Sequence, residues 1–309
     1  MSILVIGSFM MDLVVRTERA PEAGETIIGT SFGRFPGGKG ANQAVAAARL
    51  GGSVCMAGML GKDMFGEEMR AVMEKESIDT RHILNDEHSS TGVGSIVLDK
   101  NGQNRIIVVP GANLKYTAGD VDNIESVIQQ ADMLIMQLEM DISVMERAAE
   151  IAAGHGVPVI LNPAPAQRLS DELLRNVTYL TPNETELELL TGIKPASMDE
   201  VKYAAQLLLD KGVKHIVVTL AEKGALVSAD GGFQHVEGFP VEPVDTVAAG
   251  DSFNGALAVR LVQGKSLVEA ARYANAVGAL TVTKLGAIPS LPYASEVERF
   301  IEGRIKVGG

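Results

Sequence analysis

Tryptophan is absent from this chain, and aromatic residues make up only 4% of its 309 positions. So few flat side chains leave no platform on which single-stranded nucleic acid could stack. Positive charge is scarce too: 27 Lys and Arg face 39 Asp and Glu, for a formal charge of −12. A binder of the phosphate backbone needs the opposite balance, so nucleic acid is not an expected partner. A locally basic pocket for a single phosphate is still compatible with that total. Cys55 is the one cysteine, which excludes an intramolecular disulfide and a cysteine-built metal site. The five histidines are scattered, with no HxxH or HExxH spacing. No apolar run is long enough to span a bilayer. The N-terminal MSILVIGSFMMDLVV carries Asp12 and no basic start, so it reads as a buried strand and not a signal peptide. A soluble, cytoplasmic protein with no membrane partner is expected.

What is present is 46% apolar residues arranged in alternating periods. Ile3–Ile6 reads as a buried strand ending at Gly7, and Ala41–Leu50 as a helix after a glycine-rich turn. Val54–Met59 returns as a strand, followed by a helix over Met64–Lys75. From Ala118 onward helix and strand periods alternate: helix to Gln130, strand Met133–Leu138, helix Val144–Ala153, strand Val157–Leu161, then strand Tyr179–Leu180, two helices and strand His215–Thr219. A hairpin turning at Asp230 and two long helices, Ala249–Gln263 and Leu267–Thr283, complete the pattern. Such alternation means a doubly wound, mainly parallel sheet with helices on both faces. Two β-rich excursions interrupt it, at about 12–37 (Leu13–Thr17 and Thr26–Phe35) and about 90–110. They carry less apolar bulk than core strands need. One α/β domain over 1–309 is expected, with the excursions joined in a small sheet.

Val244–Leu257, VDTVAAGDSFNGAL, is the stretch richest in chemistry. Two acids, Asp245 and Asp251, flank the small residues Ala248, Ala249 and Gly250. Phe253, Ala256, Leu257 and Leu261 recur at helical spacing, so a helix begins at or just before Asp251. Its first N–H groups lack internal acceptors and small side chains would let a phosphate approach them. Read alone, Asp251 is equally a capping acid in a surface turn or a base for a hydroxyl attacking phosphorus. Gly33–Lys39 fits seven positions of a P-loop, but the eighth is Gly40, where Ser or Thr should hold magnesium. It reads better as a glycine-rich approach that aims Lys39 and Asn42 at a polar ligand. In open parallel sheets ligands sit beyond the carboxyl ends of the strands. Asp12, Glu139, Thr181, Asn183, Glu186 and Thr219 all fall at that edge. Together with Asp251 they outline a cleft for a sugar-like ligand at one end and a phosphate donor at the other.

GGKGANQAVAAARLG (Gly37–Gly51) and DTVAAGDSFNGAL (Asp245–Leu257) resemble the two signatures of the ribokinase family of carbohydrate kinases, and MQLE, NPAPA, PNETE and GAIPS extend the similarity over nearly the whole chain. The resemblance implies a doubly wound α/β fold with a small β-sheet lid that also forms a homodimer. It implies ATP as donor and the C5 hydroxyl of a pentofuranose as acceptor, with ribose the expected sugar. Asp251 would be the base, and the N–H groups of Ala248, Ala249, Gly250 and Asp251 an anion hole. Asp12, Gly38, Lys39, Asn42 and Glu139 would line the sugar pocket. Asn183, Thr219, Glu222, Gly224, Gly250 and Asn275 would contact the nucleotide, and Glu186 would help order magnesium. A monovalent cation, potassium, would sit near Asp245 with Val247, Thr281, Lys284, Gly286 and Ser290.

Departures from the family pattern matter. Ribose-binding members carry Asn two residues before the sugar-binding Asp, whereas this chain has Met10, as 2-deoxyribose-specific members do. A thioether cannot donate a hydrogen bond and accepts only weakly, so Met10 raises 2-deoxyribose as the alternative substrate. Val247 replaces a common Thr, Ala221 a Gly, and Asn275 a His. A non-catalytic sugar sensor is disfavoured because Asp251, Asn183 and Glu186 are all present. A dinucleotide-dependent dehydrogenase is disfavoured because GSFMMD, not GxGxxG, follows the first strand.

Overall fold

The computed structural model describes residues 2–229 and 231–305; Asp230, in the expected hairpin turn, lies outside them. Among the described residues thirteen strands form two sheets. They are β1 (Ser2–Ile6), β2 (Met10–Arg16), β3 (Ser31–Gly37), β4 (Ser53–Gly61), β5 (Asp79–Asp86), β6 (Val93–Leu98), β7 (Asn104–Val109), β8 (Met133–Met136), β9 (Val159–Leu161), β10 (Tyr179–Leu180), β11 (His215–Thr219), β12 (Gly224–Ala229) and β13 (Gly232–Glu237). The large sheet runs β13-β12-β11-β10-β9-β8-β1-β4-β5. It is parallel from β11 to β5, and β12 and β13 are antiparallel additions at one edge. The expected doubly wound α/β fold is therefore what forms.

The middle strands are uninterrupted apolar runs because both their faces are covered. In β1, Ile3 and Val5 enter the core layer beneath helices Lys39–Arg49, Ala249–Val262 and Leu267–Thr281, while Leu4 and Ile6 enter the layer beneath Ile142–Gly154 and Met198–Asp210. Strand alternation thus supplies both cores from one five-residue segment.

The excursions pair as a separate four-stranded sheet, β3-β2-β6-β7. Its outer strands are the uncovered ones: all of β7 is exposed, and Phe32 on β3 and Ile107 on β7 keep 66% and 69% of their surface. Differences from the expected elements are local. Only Ser31–Gly37 of the second β-rich piece is strand, since Ile28 is 89% exposed with no packing to hold a longer strand. The expected helix ending at Gln130 is two short ones, Ala118–Asp122 and Glu125–Gln129. Strand β5 escapes the pattern because it pairs on one side only and stays polar. Helix Ala294–Ile305 closes the described chain. Among the described residues no helix is long and apolar enough to cross a membrane.

Two close backbone approaches set the geometry of the site. Gly38, at φ +94°, precedes the helix Lys39–Arg49, and a Cβ there would lie 2.7 Å from the Met10 nitrogen. A Cβ on Gly40 would lie 2.5 Å from the Ser8 nitrogen and 2.7 Å from the Gly7 Cα. The glycines of the first signature therefore admit main chain against main chain, and the helix starts directly on the β1–β2 connection. Gly255 does the same between helices: its Cβ would meet the Ala46 side chain at 2.7 Å and the Gln43 carbonyl at 2.9 Å. Helix Ala249–Val262 consequently lies tight against Lys39–Arg49.

Candidate active site

These approaches bring the two signatures to a single cleft of about 410 Å³ at the carboxyl ends of β1, β8, β9, β10 and β11. Met10, Asp12, Gly38, Lys39, Asn42 and Glu139 line one part of it. Asn183, Glu186, Thr219, Val247 and the turn Ala248–Asp251 line the other. Glu222, Gly224, Asn275, Asp245, Thr281, Lys284, Gly286 and Ser290 do not line it.

Asp251 does not cap its helix. The cap position is Ala248, in the left-handed region at φ +61° and with no side-chain capping bond. A non-glycine residue held there costs energy that the surrounding contacts must offset. Asp251 is the third residue of the helix, in its first turn, is 6% exposed, and presents its carboxylate to the cleft. Asn42 Nδ2 donates to Asp251 Oδ2 at 2.9 Å, and Gln43 Nε2 donates to Oδ1 at 3.0 Å. Each oxygen is thus held by one neutral donor and retains an acceptor direction. The Asn42 Oδ1 is buried with no protein partner, in a residue that lines the cleft. A ligand hydroxyl is the donor that would satisfy it.

The opposite wall is acidic. Glu139 Oε2 accepts from Ser8 Oγ at 2.5 Å and from the Lys39 main-chain N–H at 3.0 Å, which pins it to the start of the glycine-approached helix. Burial, then the charge of Glu139, pushes the Asp12 carboxyl up to about 6. Burial works against the Lys39 ammonium, but Asp251, Glu139 and Glu186 together outweigh it and the Lys39 pKa is raised. One ammonium therefore sits in the field of three carboxylates.

Asn183 and Glu186 form a reciprocal capping box at the start of helix Glu184–Thr191: Glu186 N–H donates to Asn183 Oδ1 at 2.8 Å, and Asn183 N–H to Glu186 Oε2 at 2.9 Å. Glu186 Oε1 takes no part in that box. Burial raises the Glu186 pKa, against the Asn183 bond and the Lys39 charge, with Asp251 adding to the rise. Asn275, expected to contact the nucleotide, lies outside the cleft lining. Its Nδ2 donates to the Val236 and Glu237 carbonyls at 3.0 and 3.1 Å, tying helix Leu267–Thr281 to β13.

Asp245 lies behind the turn. Its Oδ1 accepts from Val247 N–H at 3.1 Å and its Oδ2 from Gly286 N–H at 2.9 Å, while its own N–H donates to the Val282 carbonyl. Segments 245–247 and 281–286 are thereby stitched together beside the start of helix Ala249–Val262. The Lys284 ammonium turns away to Glu296, at 2.8 Å. Ser290 is buried in a 3-10 turn, its hydroxyl donating to the Ala287 carbonyl.

Sequence reasoning passed over Asn162 and Asn254, which line the cleft, and Gln43, which backs it. Asn162 immediately follows β9, so the strand-end rule that singled out Thr219 would have found it. Val108 also lines the cleft, although it belongs to the small sheet.

A family model described as pfkB family carbohydrate kinase matches residues 1–294. The chain is 43% identical over 301 residues to a ribokinase of Haemophilus influenzae, covering 97% of this chain and 98% of that protein. It is 38% identical over 303 residues to a deoxyribokinase of Salmonella typhi, covering 98% of each. Its structure is similar to that of Arabidopsis thaliana ribokinase complexed with ribose and ATP, with a TM-score of 0.93, 33% identity, and coverage of 97% and 98% of the two chains.

The raised Asp12 carboxyl sets a stability prediction. The folded chain holds this proton more tightly than the unfolded chain, so the group favours folding below about pH 4 and that contribution is withdrawn as the pH climbs through about 6. Asp12→Asn should flatten the fall in Tm between pH 4 and 6.5. Parallel Tm profiles for the two proteins would contradict the assignment.

Proposed function

The chain belongs to the pfkB family of carbohydrate kinases, and we propose that it transfers the γ-phosphate of ATP to the C5 hydroxyl of ribose, giving ribose 5-phosphate. The observation that carries this reading is the Asp251 carboxylate, buried, held at both oxygens and facing the cleft at the first turn of a helix. The sugar lies along Met10, Asp12, Gly38, Lys39, Asn42 and Glu139, with Asn42 Oδ1 and the carboxylates as acceptors for its hydroxyls. As its C5 oxygen bonds to the γ-phosphorus and the bridging P–O bond to ADP breaks, Asp251 accepts the hydroxyl proton. The first N–H groups of helix Ala249–Val262, with the small Ala248, Ala249 and Gly250, receive the negative charge of the transferring phosphoryl. No side chain lies within 4 Å of a Cβ built on Gly250, which leaves room for that approach. Lys39 adds a positive charge between sugar and phosphate. The nucleotide lies toward Asn183, Glu186 and Thr219, with Glu222 and Gly224 behind Thr219 at the β11–β12 connection.

Two cations fit the donors present. Among the described residues no three His, Cys, Asp or Glu side chains gather as a metal cage. Magnesium, which binds through substrate phosphates and one or two carboxylates, would be held by ATP with Glu186 nearby, and would neutralise phosphate charge in an otherwise acidic cleft. A monovalent cation, potassium, suits the hard oxygens of Asp245 and of the main chain at Val247, Thr281, Lys284, Gly286 and Ser290. It would supply fixed positive charge behind the anion-binding turn. Rates in potassium should exceed those in a large organic cation; equal rates would remove that site.

The small sheet acts as a lid and as the surface of a homodimer. Phe32 on one edge strand of this sheet and Ile106 and Ile107 on the other are more than half exposed, and large apolar side chains left uncovered at a sheet's edges are of the kind that an interaction site uses. Sedimentation should give a dimer at micromolar concentration and a monomer for Ile107→Lys. A monomeric parent protein would overturn this.

Met10 favours a second substrate. It is 6% exposed and lines the sugar end of the cleft, where a thioether gives up a hydroxyl contact and should tolerate 2-deoxyribose. The ratio of kcat/KM for ribose over 2-deoxyribose should rise roughly tenfold or more in Met10→Asn, the worth of one buried polar contact. An unchanged ratio would remove Met10 as a determinant. The base assignment is tested by Asp251→Asn, for which kcat should fall by at least about a thousandfold while ribose binding, read by calorimetry, survives. Near-normal turnover would sink it.

A further inference from the structure

Gln43 is fully buried and lies behind the cleft wall, not in it. Its Oε1 accepts from Gln137 Nε2 at 2.8 Å, and its Nε2 donates both to Asp251 Oδ1 at 3.0 Å and to Asn162 Oδ1 at 3.1 Å. These bonds leave the amide one orientation. Reversed, it would set its oxygen against the Asp251 carboxylate and the Asn162 oxygen, and its nitrogen against the Gln137 donor. Gln137 is itself confined: its Oε1 would lie 2.2 Å from a Cβ on residue 7, so it fits only because residue 7 is glycine. On the other side Asn162 continues through its Nδ2 to the Thr181 carbonyl, and Thr181 Oγ1 donates to Asn254 Oδ1 at 2.7 Å. Asn254 Nδ2 returns to the Gly250 carbonyl at 2.8 Å, in the first turn of the helix that bears Asp251. A buried amide network thus starts at β8, reaches the carboxylate through Gln43, and ends on the turn beside it.

We propose that Gln43 is a positioning residue for Asp251, holding Oδ1 from behind so that the carboxylate keeps one orientation whether or not sugar is bound. The proposal rests on the reading of Asp251 as the base. Asn42 cannot serve that purpose alone, because it lines the cleft and is itself engaged when a sugar binds. Gln43 is shielded from the ligand and anchored at both ends, so its donor does not move with substrate. Being neutral, it orients the carboxylate without competing for the proton. Lys39 and Glu186 are charged groups coupled to Asp251 across the cleft, and neither is bonded to Gln43.

The test uses kcat, the KM for ribose and the pH profile of kcat for Gln43→Met and Gln43→Glu, with Asp251→Asn as reference. Gln43→Met removes the donor at nearly constant length. Its kcat should fall roughly tenfold to a hundredfold, the factor one amide donor to a charged group is worth, with KM for ribose within about twofold of the parent. Gln43→Glu sets a second carboxylate beside the first. Its acidic limb should move up by about one pH unit or more, as two carboxylates come to share a proton, with activity partly regained at alkaline pH. A merely structural role would lower Tm without moving the limb. If Gln43→Glu does not fold, Gln43→Met decides. Folded variants with parental kcat and an unmoved limb overturn the positioning role, as does a rise in KM that accounts for the loss. Those outcomes with Asp251→Asn inactive remove Gln43 alone; an active Asp251→Asn removes the base itself.

Discussion

The site depends on how closely two helices and one strand connection can approach. Helix Lys39–Arg49 begins in main-chain contact with residues 7–10, and helix Ala249–Val262 packs on it through Gly255. Side chains at any of these contacts would separate the segments by ångströms. Asn42 and Gln43 would then no longer reach Asp251, whose two oxygens they now hold at 2.9 and 3.0 Å. Glu139 depends on the same approach, since it is bound by the first N–H of the helix and by Ser8 on the connection beneath. Packing thus places chemistry that no local propensity of these residues would place.

Electrostatics follows from that packing. Four carboxylates and one ammonium share a partly buried cleft, and a low dielectric makes their mutual effects large. Burial and Glu139 lift Asp12, while three acids sustain the charge of Lys39. Asp251 is supported differently, by neutral amides drawn from a network that reaches back to β8. Such donors fix the direction of the carboxylate without adding charge.

Much of the fold was legible because its signals are local. The apolar runs of β1, β8 and β9, and the long helices of the second half, have patterns that survive without tertiary context. The polar strand β5 did not, because an edge strand lacks the burial that writes a pattern into sequence. Thr26–Thr30 looked like strand by composition, yet only pairing and packing make a strand, and Ile28 finds neither. In the site, residues on glycine-rich turns and at strand ends could be singled out by position. Gln43 could not: it sits inside a helix among alanines, and its role appears only when Gln137, Asn162 and Asp251 are brought around it. Asn275 shows another tie that appears only in three dimensions, its Nδ2 donating to the main chain of β13.

The sequence by itself determined the class of the fold, the two signatures and the residue types available for phosphoryl transfer, because periodicity and small-residue turns are properties of neighbouring positions. Only the tertiary structure set aside the reading of Asp251 as a capping acid. It made Ala248 the residue at the helix cap, in a left-handed conformation, and turned Asp251 inward onto Asn42 and Gln43 from a signature some 200 residues away. Whether an acid caps a helix or turns into a cleft is a matter of three-dimensional approach, and that approach was made possible by glycines that admit main chain against main chain.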